Sequence, residues 1–311
     1  MTSIETTDTM RAVVFDRYGD PCVLREARVP MPTLRPRRVL IRARAIGVNP
    51  ADGKWRSGMF AGVRPLRLPH VGGYDIAGEV VSADADWLAP GMRVVAMLDA
   101  LTQGAYADYA VADRSSVAAI PDRLSFERAA ALPTPGLTGV QMIEEQLDVQ
   151  PGHRVLLTGA TGAVGRFALH AALGQGATVV AAVRDRHVST ARALGATQTI
   201  VLGQQPSMGA PFDHVADTVG GAAVADLCRH VHPAGRIRTV ATTPIQPDGL
   251  PVPPIFFGVR PDARQLDRLA VAVADGSVAV EIADCLPLVE AAEAQRRLEA
   301  GRGGGKIILI P

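Results

Sequence analysis

Three glycines at every third position, Gly159, Gly162 and Gly165, are the residues whose type and spacing speak most directly to chemistry. They follow an apolar, β-prone run over 155–158 and precede an alanine-rich helical pattern. That is a strand, a tight turn and a helix start. Glycine lets the backbone turn sharply and approach a pyrophosphate, whose charge meets unpaired N–H groups and the positive end of the helix. Gly159, Thr161, Gly162, Ala163, Val164 and Gly165 are therefore candidate cofactor ligands. The same spacing also serves a structural βα turn without a ligand, so the surrounding elements must decide. A second signal closes the next strand pattern, 178–183. An acid there would hold the ribose 2′-hydroxyl of NAD, whereas Arg184, with Arg186 and His187 beside it, suits a 2′-phosphate dianion. NADPH is the expected cofactor, with Arg184 and His187 as contacts. Asp185 leaves NADH open if the register shifts by one position, and a solvated charged loop is the bland alternative.

The elements that must position these residues alternate regularly. Strand patterns at 155–158, 178–183, 199–202, 213–216 and 236–240 are separated by helical patterns at 166–173, 188–194 and 222–230. Such alternation predicts a doubly wound parallel sheet with a ligand crevice at its carboxyl edge. The chain before it reads differently. Short strands at 11–15, 23–29, 38–46, 76–81, 91–97 and 106–111, broken by Gly and Pro, predict a partly open β-barrel of about 120 residues. Asn49 and Pro50 start a turn, and Asp52 is placed to cap a short helix. Ser125 is expected to cap a helix reaching Ala131, and Thr138 to cap another over 139–146. Two amphipathic helices, 265–275 and 288–300, the second stopped by Gly301, lead to a last strand, 306–310, expected to rejoin the front domain. Lys306 on that strand faces either the cofactor or the solvent.

Composition narrows the function classes. The 311 residues carry a formal net charge of +1, with no basic stripe for nucleic acid and no acidic tail. The apolar fraction is 48% but only 4% is aromatic, which favours a parallel sheet under small-residue helices. Cys22, Cys228 and Cys285 are far apart and odd in number, so neither a disulfide framework nor a metal cluster is expected. His230 and His232 invite a metal reading, but a solvated helix end accounts for them. The opening residues, 1–9, lack the basic and apolar regions of a signal peptide and read as a short lead-in. No apolar run reaches the length of a membrane span. A cytoplasmic protein is the expectation.

Several stretches, in this order, resemble the medium-chain dehydrogenase/reductase superfamily, and within it the zinc-free, zeta-crystallin-like quinone oxidoreductases. They are Gly47 to Asp52, Leu68 to Val81, Gly104 to Tyr109, Ala129 to Thr138 and the Gly159–Gly165 turn, and the resemblance runs from about residue 11 to residue 310. It implies an α/β chain in which an N-terminal GroES-like partly open β-barrel domain (1–125 and 262–311) is catalytic. A Rossmann doubly wound parallel sheet (126–261) would bind NADP. In zinc-dependent members a cysteine stands at the place of Asn49, and the histidine of a Gly-His-Glu triplet at the place of Tyr74. A lobe of four closely spaced cysteines belongs in their first domain. This chain has none of these, so no metal is expected.

The resemblance also implies roles. Asn49 would orient the ribose or the acceptor, and Tyr74 would reach the substrate pocket unless it is a buried structural tyrosine. Thr138 would lie against the nicotinamide ribose, and Val219, in the segment Asp217 to Gly221, under the nicotinamide. Phe256 and Phe257 would belong to a late strand that contacts the carboxamide and lies at a homodimer seam, core packing being the alternative for both. The implied reaction is hydride transfer from NADPH to a quinone or an α,β-unsaturated carbonyl. A metal-independent carbonyl reductase and a low-turnover NADPH-binding sensor are the alternatives. Phe60 stands where many relatives carry an acidic tyrosine, which weakens a fatty-acyl enoyl-thioester reading. Gly91 to Val94 carries Met92 where relatives have an aspartate. The acceptor pocket is expected from the loops 55–68 and 96–104.

Overall fold

The computed structural model describes residues 9–85, 87–102, 104–204, 209–301 and 304–311. The lead-in expected over 1–9 lies outside them except for Thr9, which opens the first strand. The first half contains β1 (Thr9–Phe15), β2 (Arg25–Pro30), β3 (Arg38–Gly47), α1 (Pro50–Arg56), β4 (His70–Val71), β5 (Asp75–Ala83), β6 (Arg93–Met97), β7 (Tyr109–Asp113), β8 (Val117–Ala119), α2 (Phe126–Ala130) and α3 (Pro133–Gln141). There follow β9 (Arg154–Thr158), α4 (Ala163–Gly174), β10 (Thr178–Val183), α5 (Val188–Ala193), β11 (Gln198–Val201), β12 (Phe212–Asp217), α6 (Ala222–Cys228), β13 (Val231–Thr239) and β14 (Pro254–Phe256). The chain ends with α7 (Ala263–Ala274), β15 (Ile282–Pro287), α8 (Ala291–Glu299) and β16 (Lys306–Ile310). Two compact units result. One comprises Met1–Thr134, Pro261–Gly276 and Val280–Pro311, the other Pro135–Arg260 and Ser277–Ala279.

The first unit is the GroES-like domain and is organised around β3. Its apolar residues alternate, with Val39, Ile41, Ala43 and Ala45 turned into the core. One edge of β3 pairs antiparallel with β5. The other is shared, by β7 over Arg38 to Arg42 and by β16 at Ile46 and Gly47. The sheet order is β15-β16-β3-β5-β6-β8, and a smaller sheet β2-β1-β4 joins through the bridge Ala12–Ala107. Phe15, Ile41, Ile46, Ile76 and Leu309 are fully buried in its core, each contributing roughly 1.5–3 kcal/mol of apolar burial.

The second unit is a Rossmann-type sheet of parallel strands in the order β11-β10-β9-β12-β13-β14. Strand order reverses between β9 and β12, which creates a crevice at their carboxyl ends. Leu156, Val180, Phe212, Val215 and Ile237 fill the core under it.

Several expectations need correction. The helix expected over 139–146 starts at Pro133 and passes into a π-helical turn, Met142–Gln146. Pro133 and Pro135 sit in the first turn, where a missing N–H leaves no bond unmade. Thr138 is therefore not an N-cap; it is buried inside α3. The strand expected at 106–111 begins at Tyr109, because Tyr106 is drawn into the core. The late strand ends at Phe256, so Phe257 lies just beyond it. Asp52 does stabilise α1, but from its third position, accepting the N–H of Asn49 at 2.8 Å. Among the described residues no helix is long and apolar enough to cross a membrane.

Candidate active site

In the second unit the glycine turn leaves β9 and enters α4. Gly159 has φ +64°, and a Cβ there would lie 2.4 Å from the Thr218 hydroxyl. Gly165 is closed to any side chain: its Cβ would meet the Gly159 carbonyl oxygen at 2.1 Å and Ala160 Cα at 2.7 Å. Gly162 is the N-cap of α4, and the Arg166 N–H returns to its carbonyl at 3.0 Å. The amides of Ala163, Val164 and Gly165 thus precede the first intrahelical bond, as the leading amides of any helix do. Arg166 Nε also binds the Thr161 carbonyl at 3.0 Å, which pins the loop. Gly162 and Ala163 are exposed, so the cradle opens outward. Close backbone packing beneath and free amides above fit a pyrophosphate.

Asp217 organises the strand ends around that turn. Its Oδ1 accepts from the Thr158 hydroxyl at 2.6 Å and from the N–H groups of Val219 and Gly220 at 3.0 Å each; its Oδ2 accepts from Thr239 at 2.6 Å. One carboxylate therefore ties the ends of β9, β12 and β13 together. It holds Val219 against the turn, where a Gly159 Cβ would touch Val219 Cγ2 at 3.1 Å. Gly139, the neighbour of Thr138, packs on α4, since a Cβ there would lie 2.8 Å from the Val164 carbonyl. The structure thus brings Gly159, Val219 and the Thr138 segment to the start of α4. Arg184 stands exposed just after β10, and Arg186 Nε donates to His187 Nε2 at 3.2 Å. Phe256, on the open edge strand β14, is 51% exposed, whereas Phe257 is 8% exposed and its N–H donates to the Thr239 carbonyl.

In the first unit the polar residues converge at the end of β3. Asn49 Nδ2 donates to Asp75 Oδ2 at 2.9 Å, and Asn49 Oδ1 accepts from Lys306 Nζ at 2.6 Å. Lys306 also donates to the Val48 carbonyl at 2.9 Å and lies 3.7 Å from Asp75 Oδ2. Asp75 Oδ1 is held by the N–H and hydroxyl of Thr134. Lys306, 6% exposed, does not face solvent, so that alternative is corrected. Burial raises the Asp75 pKa against the pull of Lys306, and lowers that of Lys306 against the charges of Asp75 and Asp52. Asp52, also buried, accepts from Tyr106 at 2.8 Å, and burial pushes its pKa up to about 7. Tyr74 is 7% exposed, and its hydroxyl has no hydrogen-bond partner among the described residues. Burial, reinforced by Asp52, Asp75 and Asp99, raises its pKa, so the phenol stays protonated.

Residues 35–122 match the family described as alcohol dehydrogenase GroES-like domain, and residues 167–309 match zinc-binding dehydrogenase. A chloroplastic quinone-oxidoreductase of Triphysaria versicolor is 35% identical over 61% of this chain and 60% of its own length. A 2-methylene-furan-3-one reductase of Solanum lycopersicum is 31% identical over 100% of this chain and 81% of that protein. The solved quinone oxidoreductase of Coxiella burnetii superposes with a TM-score of 0.86 at 30% identity, covering 97% of this chain and 99% of the other. The chain belongs to the medium-chain dehydrogenase/reductase superfamily, in its quinone oxidoreductase branch. It is accordingly an oxidoreductase, and its Rossmann unit is of the kind that takes a nicotinamide dinucleotide.

Zinc chemistry in this superfamily needs about three nitrogen, sulfur or carboxylate ligands around one point. Among the described residues no group of three or more His, Cys, Asp or Glu side chains forms such a set. The amide of Asn49 and the phenol of Tyr74 are poor zinc donors, and the amide is already engaged. The roles of two residues were not legible in the sequence. Asp217 was visible only as a strand end before glycines. Lys306 was placed toward either the cofactor or the solvent, because its partner Asn49 lies 257 positions away and leaves no local mark.

Proposed function

We propose that this quinone oxidoreductase relative is a metal-independent, NADPH-dependent reductase of quinones or α,β-unsaturated carbonyl compounds. The observation that carries it is the buried hydroxyl of Tyr74, a donor for which the described residues supply no acceptor atom. When bound, the dihydronicotinamide supplies the hydride. The amides opening α4 hold the pyrophosphate, Arg184 the 2′-phosphate, with His187 beside it, and Val219 and Thr138 line the nicotinamide end. Phe256, at the end of β14, and Phe257, just beyond it, would contact the carboxamide. Asn49 orients the ribose or the acceptor. The negative charge that develops on the acceptor's carbonyl oxygen is met by the Tyr74 O–H, without a Lewis acid. A conjugated acceptor suits such a site because its charge is delocalised onto that oxygen.

Phe60 stacks on Trp55 with ring centroids 4.9 Å apart and offers no proton, which leaves Tyr74 as the donor. We also infer a homodimer formed along the open edge of β14, where Ile255 and Phe256 are exposed, and residence in a reducing, cytoplasmic compartment. Light scattering after gel filtration tests the dimer, and a monomer at micromolar concentration removes it. The activity is tested by following NADPH absorbance with quinones, enones and saturated ketones. Oxidation with the first two supports the reading. Binding of NADPH without turnover on any acceptor overturns it, and turnover of saturated ketones alone replaces it with carbonyl reduction.

A further inference from the structure

The register of three neighbouring strands converges on Asn49. β16 runs antiparallel to β3 with Ile308 opposite Gly47, and continuing that register by two residues sets Lys306 opposite Asn49. The Val48 N–H, donated to the Ile307 carbonyl at 3.0 Å, carries the pairing into this stretch. On the other side, β5 places Asp75 opposite Gly47. Asn49, two residues beyond β3, therefore has a cation on one flank of its side chain and a carboxylate on the other. An ammonium group only donates and a carboxylate only accepts. The amide has one compatible orientation, oxygen toward Lys306 and nitrogen toward Asp75. A flip would set NH2 against NH3⁺ and oxygen against carboxylate. The second N–H of Asn49 reaches the Gly47 carbonyl only at 3.5 Å, a weak contact. The remaining hydrogen of the amide is offered in a fixed direction.

We propose that Lys306 is a positioning residue of the site, which acts by locking the Asn49 amide in the orientation that the ribose or the acceptor meets. This rests on the role given to Asn49 above. Nothing about it requires Lys306 to touch either ligand. The charge pair with Asp75 has a second effect, the neutralisation of a buried carboxylate, and the two effects must be separated.

A double-mutant cycle between Lys306→Met and Asn49→Ala separates them. It is read as the dissociation constant of NADPH, from protein fluorescence, and as kcat/KM with a quinone. A charge-assisted hydrogen bond is worth about tenfold. Lys306→Met is expected to weaken at least one of these quantities by about that factor in the natural protein, and by less than about twofold once Asn49 is alanine. An equal loss in both backgrounds means a structural role and overturns the proposal. If Lys306→Met alone does not fold, Lys306→Met with Asp75→Asn removes both charges and enters the same cycle. Loss of coupling in that background overturns the proposal equally. The binding arm stands apart from the reaction. A chain that binds NADPH with coupled Lys306 and Asn49 but reduces nothing refutes the reductase reading and keeps the positioning role.

Discussion

Tyr106 donates its phenolic hydrogen to Asp52 Oδ2 at 2.8 Å, while the other oxygen of that carboxyl group has no partner among the described residues. Oδ2 also accepts the Asn49 N–H, so one oxygen does all the bonding. Burial pushes the pKa up to about 7 from an ordinary 3.8. Between these values the folded protein keeps a proton that the unfolded chain releases, so this group's contribution to stability falls as pH rises through the window. Asp52→Asn can keep both bonds to the remaining oxygen and abolishes the titration. The variant is expected to gain stability relative to the natural chain between about pH 5 and about pH 8. Thermal melts of both proteins at the two pH values test this, and parallel curves defeat it.

Gly165→Ala places a methyl group 2.1 Å from the Gly159 carbonyl oxygen, with backbone on both sides. Overpacking of this kind costs about 1–3 kcal/mol. The turn must also open, which moves the amides that hold the pyrophosphate. Denaturant titration and NADPH binding should both report the change, with affinity down by at least about tenfold. Unchanged binding would remove the turn from the cofactor site.

Arg184→Ala tests cofactor choice. A guanidinium bonded to a 2′-phosphate but not to a 2′-hydroxyl predicts a loss of about tenfold or more for NADPH, with NADH within about twofold. Equal losses for the two would refute the assignment. Asp185→Asn is the companion: it should leave NADPH binding largely intact, whereas weakened NADH binding alone would favour the shifted register.

Tyr74→Phe separates catalysis from packing. An unpartnered buried hydroxyl contributes nothing to the free protein, and removing it relieves a desolvation penalty of about 1–3 kcal/mol. The melting temperature should hold or rise while kcat falls by at least about tenfold. A variant with full activity would mark Tyr74 as a core residue.

Much of this arrangement was legible from the chain alone. The glycine turn, the strand–helix alternation after it and the short alternating strands before it are local patterns, and local physics produced the expected sheet. What escaped was set by distant partners. Tyr106 looks like a strand residue until Asp52 draws it inward. The helix expected from residue 139 starts instead at Pro133, since the first turn of a helix is where proline is tolerated. β4 and β8 are short and gain their pairing from neighbours rather than from their own pattern. Alternation along β16 says nothing about which residue will oppose Lys306.

That last strand sets an order of events during synthesis. The front unit begins to emerge from the ribosome first, yet β3 receives its partner at Ile46 and Gly47 only when Ile308 and Leu309 have been made. The Rossmann strands lie wholly between, and none of their pairings reaches as far along the chain as that of β3 with β16. The nucleotide-binding half can therefore mature while the front sheet still waits with an open edge and an unneutralised Asp75. The five residues of β16 thus complete the front sheet after every strand of the second unit has been made, and they also deliver the ammonium group to Asn49.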